Sequence, residues 1–231
     1  MGKNMAIIVA GGSGSRMGTK VHKQFLELQG KPILAYTLDV FQQSASIDGI
    51  VLVVGRGEEE YVRNGIVDAY GFSKVTQITA GGTERYESVY AGLQYCEQAE
   101  YVFVQDAVRP FVTEEILRRG LETVRQYGSA VCGVPSKDTV KITDQEGVVR
   151  ETPSRDTVWI VQTPQIFPYV LLKDAYERVM GAGQSTLSGK TITDDAMIVE
   201  STGAEVRMFM GDYRNIKITT PEDLLIAEAL L

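Results

Sequence analysis

The residues with the clearest chemical potential lie near the start of the chain. Gly11, Gly12, Gly14 and Gly18 fall within eight positions, with Arg16 between them and Lys20 and Lys23 just beyond. Glycines let backbone N–H groups approach an anion closely, and successive N–H groups form a concave nest for phosphate oxygens. Arg16, Lys20 and Lys23 would add full positive charge, so the stretch suits a polyphosphate. A glycine-rich turn without ligand is the plainer reading, and the three cations weigh against it. Asp106 closes the apolar run Tyr101-Val-Phe-Val-Gln105, where a carboxylate suits a Mg²⁺ or hydroxyl contact, a cap, or an ion pair with Arg109.

Two familiar motifs fail on spacing. The dinucleotide fingerprint needs Gly-x-Gly-x-x-Gly, but Met17 occupies the third glycine position and Gly55-Arg56 follows the second strand where an acidic residue belongs. The P-loop needs lysine after its last glycine, and Thr19 stands there. Tyr169 and Lys173 match Tyr-x-x-x-Lys, a pairing for which this composition gives about half a chance match, and they are read as ordinary helix.

These residues need a scaffold. Residues 5–10 form a short apolar run of the kind buried in a parallel strand. Further strands are expected at 49–54, 74–79, 101–105 and 130–135, alternating with helices at 33–43, 58–70, 86–96 and 113–127. That alternation predicts an α/β fold of Rossmann type, a mainly parallel sheet with helices on both faces. Ligands of such sheets sit at the carboxyl ends of the strands, so Gly11–Arg16, Gly81–Arg85 and Asp106–Arg109 should share one rim. Residues 137–159 break the pattern. They alternate polar and apolar around Gln145-Glu146-Gly147, as in a β-hairpin arm that leaves the sheet and packs on a second subunit. Beyond the arm the expectations are a turn at 162–165, a helix at 168–180, a polar loop at 184–190 and a helix from 193. Strands at 205–210 and 215–219 and a closing helix from Pro221 complete the chain, a single domain over 1–231 with the arm inserted.

Composition narrows the function. The chain of 231 residues has a net charge of −7, which disfavours general nucleic-acid binding. Within residues 1–31, however, Lys3, Arg16, Lys20, Lys23 and Lys31 face only Glu27, so a basic island sits in an acidic protein, suiting a small anionic ligand. The lone His22 argues against a histidine metal site or a Ser-His-Asp triad. Cys96 and Cys132 have no close spacing and fit a reducing cytoplasm. No apolar run reaches the roughly 18–20 residues that span a membrane.

The loop Gly11-Gly-Ser-Gly-Ser-Arg-Met-Gly18 with Lys23-Gln-Phe-Leu26, followed by Asp106-Ala-Val-Arg-Pro-Phe111, resembles the sugar- and polyol-phosphate cytidylyltransferases. Val134-Pro-Ser-Lys-Asp-Thr139, Arg155 ahead of Trp159, Gln162-Thr-Pro-Gln165, Thr193-Asp-Asp-Ala196 and Asn215-Ile-Lys-Ile-Thr-Thr-Pro-Glu-Asp223 extend the likeness over nearly the whole chain. They are similar to the branch acting on 2-C-methyl-D-erythritol 4-phosphate in the non-mevalonate isoprenoid pathway. Gln105 and Val108 stand where that branch has His and Ala, and His22 where it has Pro; Val108 is shared with ribitol 5-phosphate enzymes, which keeps that acceptor as the alternative.

The resemblance implies a CTP site at Ala10, Gly11, Gly12, Gly14, Arg16 and Lys23, with Gly81, Arg85 and Ser88 near base and ribose. It implies Asp106, Arg109, Thr139, Arg155, Thr163, Thr193 and Lys217 around the acceptor and the reacting phosphates. Arg16, Lys23 and Lys217 would neutralise transition-state charge. Mg²⁺ would be held mostly by phosphates, with Asp106 as a protein ligand. The arm would embrace a partner in a homodimer, so that Thr139 and Arg155 serve the neighbour's site. A CTP-binding module without catalysis and an NAD-linked reductase are the readings of other classes.

Overall fold

The computed structural model describes residues 2–12, 22–183, 186–187 and 189–231. In chain order the elements are β1 (Lys3–Ala10), β2 (Glu27–Leu28), β3 (Lys31–Pro32), α1 (Ile33–Gln43), β4 (Gly49–Val54) and α2 (Glu59–Val62), which runs on as a π-helical segment (Arg63–Asp68). Then come β5 (Val75–Ala80), α3 (Arg85–Leu93), β6 (Ala99–Asp106), α4 (Glu114–Tyr127) and β7 (Ala130–Pro135). The short strands β8 (Ile142–Thr143) and β9 (Val149–Glu151) precede β10 (Trp159–Pro168) and α5 (Tyr169–Gly181). The hairpin strands β11 (Thr186–Leu187) and β12 (Lys190–Thr191), then α6 (Asp195–Glu200), β13 (Met208–Met210) and α7 (Pro221–Leu230) complete the chain.

Seven strands form the central sheet in the order β13-β7-β10-β6-β1-β4-β5. Pairing is parallel throughout except at β10, which runs antiparallel to both neighbours. The expected α/β sheet with helices on both faces is what the structure has. Every residue of β4 is buried, the pattern of a strand covered on both sides. Alternate residues of β1, β4 and β6 feed two separate cores. Ala6, Ile8, Leu52 and Phe103 pack against α1, α2 and α4 on one face. Ile7, Val53, Val102 and Val104 pack against α3, α5 and α6 on the other. Gly92 on α3 permits the close approach there: a Cβ at this position would lie 2.7 Å from Ile7 Cγ2 and 3.0 Å from Val53 Cγ2.

Helix ends follow their local sequence. Thr113 Oγ1 accepts the Ile116 N–H at the start of α4, and Gly128 at φ 79° closes that helix in the left-handed region that suits glycine. Glu84 and Glu87 form a reciprocal capping box at α3, as do Thr220 and Asp223 at α7, where Pro221 takes the first helical position.

Three expectations need correction. Residues 162–165 are not a turn but the middle of β10, which fills the space between β6 and β7. The expected strand at 205–210 contracts to β13. Residues 215–219 form no strand; a backbone bond from Ile218 N–H to the Val108 carbonyl (2.9 Å) ties them beside Asp106 instead. The 137–159 excursion contains the β8–β9 hairpin, turning at Gly147 (φ 83°), and rejoins the sheet at Trp159. The loop expected at 184–190 contains the β11–β12 pair. No helix among the described residues is long and apolar enough to cross a membrane.

Candidate active site

Parallel strands end on one rim, and the rim gathers many of the residues that the sequence singled out. Ala10 ends β1 and Gly11 and Gly12 follow it, Gly81 to Arg85 follow β5, and Asp106 ends β6, level with Val9 in the sheet register. They enclose a cavity of about 180 Å³ whose wall includes Ala10, Gly11, Gly12, Lys23, Arg85, Ser88, Asp106 and Lys217. Gly14, Arg16 and Lys20 lie outside the described residues. Gly11 is packed against the other strand end, since a Cβ there would sit 3.3 Å from the Val54 carbonyl oxygen. Gly81 is tighter still: a Cβ would meet Ser88 Oγ at 2.5 Å. Ser88 is buried and ties down this turn, donating to the Glu84 carbonyl (3.2 Å) and accepting from the Gly82 N–H (3.2 Å).

A second cavity of about 260 Å³ adjoins the first and shares Arg85, Asp106 and Lys217 with it. Arg109, Thr163, Gln165, Thr193 and Asp194 contribute to its wall. The shared residues form an ion cluster. Asp106, with 7% of its surface exposed, accepts from Arg85 Nε at Oδ1 (3.1 Å) and faces Lys217 Nζ (2.8 Å) and Arg109 Nε (3.6 Å) at Oδ2. Burial by itself would raise the Asp106 carboxyl, but the charges of Arg85, Lys217 and Arg109 overcome it and hold the group well below the usual carboxylate range. Asp106 is therefore an anion surrounded by cations, closest to the ion-pair reading of this residue, with Arg85 and Lys217 nearer than the expected Arg109.

The surroundings fix these side chains in place. The Asp106 N–H donates to Thr163 Oγ1 (3.1 Å), linking β6 to β10. Arg109 Nη1 donates to the Asn215 carbonyl (2.7 Å), and the Asn215 side-chain amide donates to the Thr163 carbonyl (2.9 Å). Burial lowers the Arg109 guanidinium somewhat, with Asp106 opposing. Lys217 lies between half-buried Ile216 and buried Ile218. A small apolar cluster of Leu28, Ile33, Val108, Ile218 and Ala227 beneath it seats the segment against α7 and the β2–β3 hairpin.

Thr139 and Arg155 stand apart. They are exposed on the arm, where Arg155 Nη2 donates to Thr139 Oγ1 (3.2 Å), and neither lines the two cavities around Asp106. Tyr169 and Lys173 sit on α5, the ammonium 5.5 Å from the ring centre, away from both cavities. Sequence reasoning did not single out Asp195, which is fully buried and accepts Arg85 Nη1 (3.0 Å) and Nη2 (2.9 Å) as a bidentate pair. It also missed Gln165, whose Oε1 accepts the Ala196 N–H (2.8 Å) and whose amide donates to Asp194 Oδ2 (3.0 Å). The Thr-Asp-Asp run was visible, but which aspartate caps the helix and which is buried depends on contacts far along the chain.

The arrangement is thus a glycine-edged, cation-bearing cavity joined through an ion cluster to a second polar cavity, suited to two anionic ligands meeting between them. Comparison with known proteins gives a concordant result. The model of the 2-C-methyl-D-erythritol 4-phosphate cytidylyltransferase (IspD) family matches residues 4–231. A Clostridium botulinum protein described as 2-C-methyl-D-erythritol 4-phosphate cytidylyltransferase is 47% identical over 100% of this chain and 98% of its own length. A Geobacter metallireducens protein of the same description is 47% identical over 98% of this chain and 96% of its own length. The crystal structure of 4-diphosphocytidyl-2C-methyl-D-erythritol synthase from Anaerococcus prevotii superposes with a TM-score of 0.85 at 34% identity, covering 99% of this chain and 96% of that one. The chain belongs to the 2-C-methyl-D-erythritol 4-phosphate cytidylyltransferase family.

Proposed function

We propose that this chain transfers CMP from CTP to 2-C-methyl-D-erythritol 4-phosphate, giving 4-diphosphocytidyl-2-C-methyl-D-erythritol and pyrophosphate, within the non-mevalonate route to isoprenoids and in the cytoplasm. The observation that carries the reading is the pair of adjoining cavities sharing Arg85, Asp106 and Lys217. One has the glycine edge and Lys23 for a triphosphate; the other has Arg109, Thr163 and Thr193 for a phosphorylated polyol.

The acceptor phosphate, its second pKa being about 6, is mostly dianionic at neutral pH and is already a nucleophile. One of its oxygens attacks the α-phosphorus of CTP, the bond from that phosphorus to the β-phosphate oxygen breaks, and pyrophosphate leaves. No general base is required, in keeping with an Asp106 held ionised by its cations. Positioning and charge neutralisation carry the barrier. Backbone N–H groups at Gly11 and Gly12 cradle the triphosphate, Lys23 and Lys217 neutralise charge on the phosphates, and Asp106 accepts from an acceptor hydroxyl while holding Lys217 in place. Gly14 and Arg16, outside the described residues, are assigned to the triphosphate by the family likeness, and Lys20, also outside them, by its charge beside the glycine loop.

The donor set fits a divalent cation bound chiefly through phosphate. No group of three or more His, Cys, Asp or Glu side chains gathers among the described residues, and the Asp106 carboxylate would have to share itself between the cation and its partners Arg85, Lys217 and Arg109. Bound there, Mg²⁺ would supply charge neutralisation between phosphates. Thr139 and Arg155 are assigned to the neighbour's acceptor site in a homodimer. Ile142, Val148 and Val149, all exposed on the arm, supply an apolar surface for that contact.

The test is pyrophosphate release from CTP and Mg²⁺ with 2-C-methyl-D-erythritol 4-phosphate and, separately, with ribitol 5-phosphate. Release with the first acceptor and a loss of about 10²–10³ in turnover for Lys23→Ala are expected, the scale of one electrostatic stabiliser. Release with ribitol 5-phosphate alone would move the assignment to that acceptor, and CTP binding without release would make the chain a binding module.

A further inference from the structure

We propose that Asp195 is a positioning residue for the transfer, acting through Arg85 to orient Asp106 toward the acceptor; this rests on the functional reading above.

Asp195 lies at the start of α6 and is 0% exposed. A buried carboxylate is tolerated only when its lone pairs are well satisfied. Here Oδ1 accepts from Arg85 Nη1 (3.0 Å) and from the Tyr176 hydroxyl (2.5 Å), while Oδ2 accepts from Arg85 Nη2 (2.9 Å). Tyr176 comes from α5 and is itself fully buried. Burial, then the neighbouring Asp195 charge, raises its phenol well above the ordinary value, so it remains a donor.

A two-pronged guanidinium–carboxylate pair fixes the plane of both groups. With both terminal nitrogens on Asp195, the remaining edge of Arg85 points Nε at Asp106 Oδ1 (3.1 Å). The order is therefore Tyr176, Asp195, Arg85, Asp106, Lys217, alternating donor and acceptor from the far face of the sheet to the junction of the two cavities. Three of the five guanidinium hydrogens are engaged in it, so Arg85 serves more as a strut than as a nucleotide ligand. The same strut ties the turn after β5, on the CTP side, to α6, next to the acceptor-side Thr193. Asp195 touches neither cavity, which separates it from the groups that meet substrate.

The experiment measures pyrophosphate release by the full chain with CTP saturating and the methylerythritol phosphate varied, then with the two exchanged. Asp195→Asn keeps the size and an acceptor for Tyr176 but loses the charged pair. Its kcat/KM for the acceptor is expected to fall by about 10- to 100-fold, as for a small misplacement at a reacting centre, while KM for CTP moves less than about threefold. In an Arg85→Lys background the same substitution should add less than about threefold, because the strut is already broken. Tyr176→Phe should lower the acceptor kcat/KM more mildly, and its near-UV circular dichroism should match the wild type. Should Asp195→Asn fail to fold, Tyr176→Phe decides: an acceptor-side loss sustains the inference and wild-type kinetics overturn it. Asp195→Asn within threefold of wild type, effects that multiply fully with Arg85→Lys, or losses shared equally by CTP and acceptor would each overturn it as well. Wild-type protein releasing no pyrophosphate would sink the functional reading and this inference together; wild-type activity with an indifferent Asp195→Asn would sink this inference alone.

Discussion

Asp106 shows how a single carboxylate can be kept charged where burial works against it. Three cations within 3.6 Å outweigh the loss of water, so its folded-state pKa lies below the unfolded value of about 4. For a depressed acid, the stabilising contribution is fully present above the unfolded pKa and is lost as pH falls through the folded one. The difference in melting temperature between wild type and Asp106→Asn is therefore expected to stay constant from pH 8 to about 5 and to shrink below about 4, which a pH series of thermal melts would read. A difference that shrinks between pH 8 and 5 would contradict the ion cluster. At this scale the sequence was informative where a residue's neighbours in the chain define it. Gly11, Gly12, Lys23, Asp106 and Lys217 stand out in the sequence because their local runs are distinctive. Asp195 does not, because its partners Arg85 and Tyr176 are 110 and 19 positions away and nothing in Thr-Asp-Asp separates a helix cap from a buried anion.

Among the elements, the strands and helices legible in the sequence were those whose hydrophobic pattern and end signals agree, such as β1, β4 and α4. β10 escaped notice because its central residues are polar. Gln162, Thr163 and Gln165 are nonetheless buried, with their polar atoms satisfied by Asp212, Asn215, Asp106, Asp194 and Ala196. Periodicity cannot anticipate burial that depends on such distant partners. The opposite error occurred at 215–219, where apolar residues alternate but a side-by-side contact with the Val108 segment takes the place of a ladder. Packing between elements is tight enough to predict a cost. Gly92→Ala pushes a methyl against Ile7 and Val53, β-branched side chains with little freedom to yield. A destabilisation of about 1–3 kcal/mol is expected, read as a fall in melting temperature of roughly 2–12 °C. An unchanged melting temperature would mean that α3 can shift off the sheet at no cost.

At the scale of the whole molecule, the two cavities around Asp106 are lined without Thr139 or Arg155, which stand exposed on the arm. If Thr139 and Arg155 complete a neighbour's site, the defects of an arm variant and a pocket variant belong to different halves of one site. Arg155→Ala and Lys23→Ala proteins, each nearly inactive, should recover about a quarter of wild-type activity once unfolded together and refolded at equal amounts, because half of the dimers are mixed and each mixed dimer has one intact site. Recovery no greater than the sum of the separate proteins would place Arg155 outside the neighbour's reaction. The arm's general outline was legible from Gln145-Glu-Gly147 and the flanking alternation. Its return into the middle of the sheet was not, since a strand's position in a sheet is decided by all the others.

The position of β10 has a bearing on how the chain is made. β6 and β7 follow one another in sequence, yet a slot one strand wide separates them, and the strand that fills it comes after the arm. During N-to-C-terminal synthesis both strands can form while their facing edges remain unpaired, and such edges invite pairing with other chains. The slot closes only when residues as far as Pro168 have left the ribosome. A nascent chain halted within the arm therefore carries an interior gap rather than a frayed end, and the hazard lasts for the time needed to translate the arm.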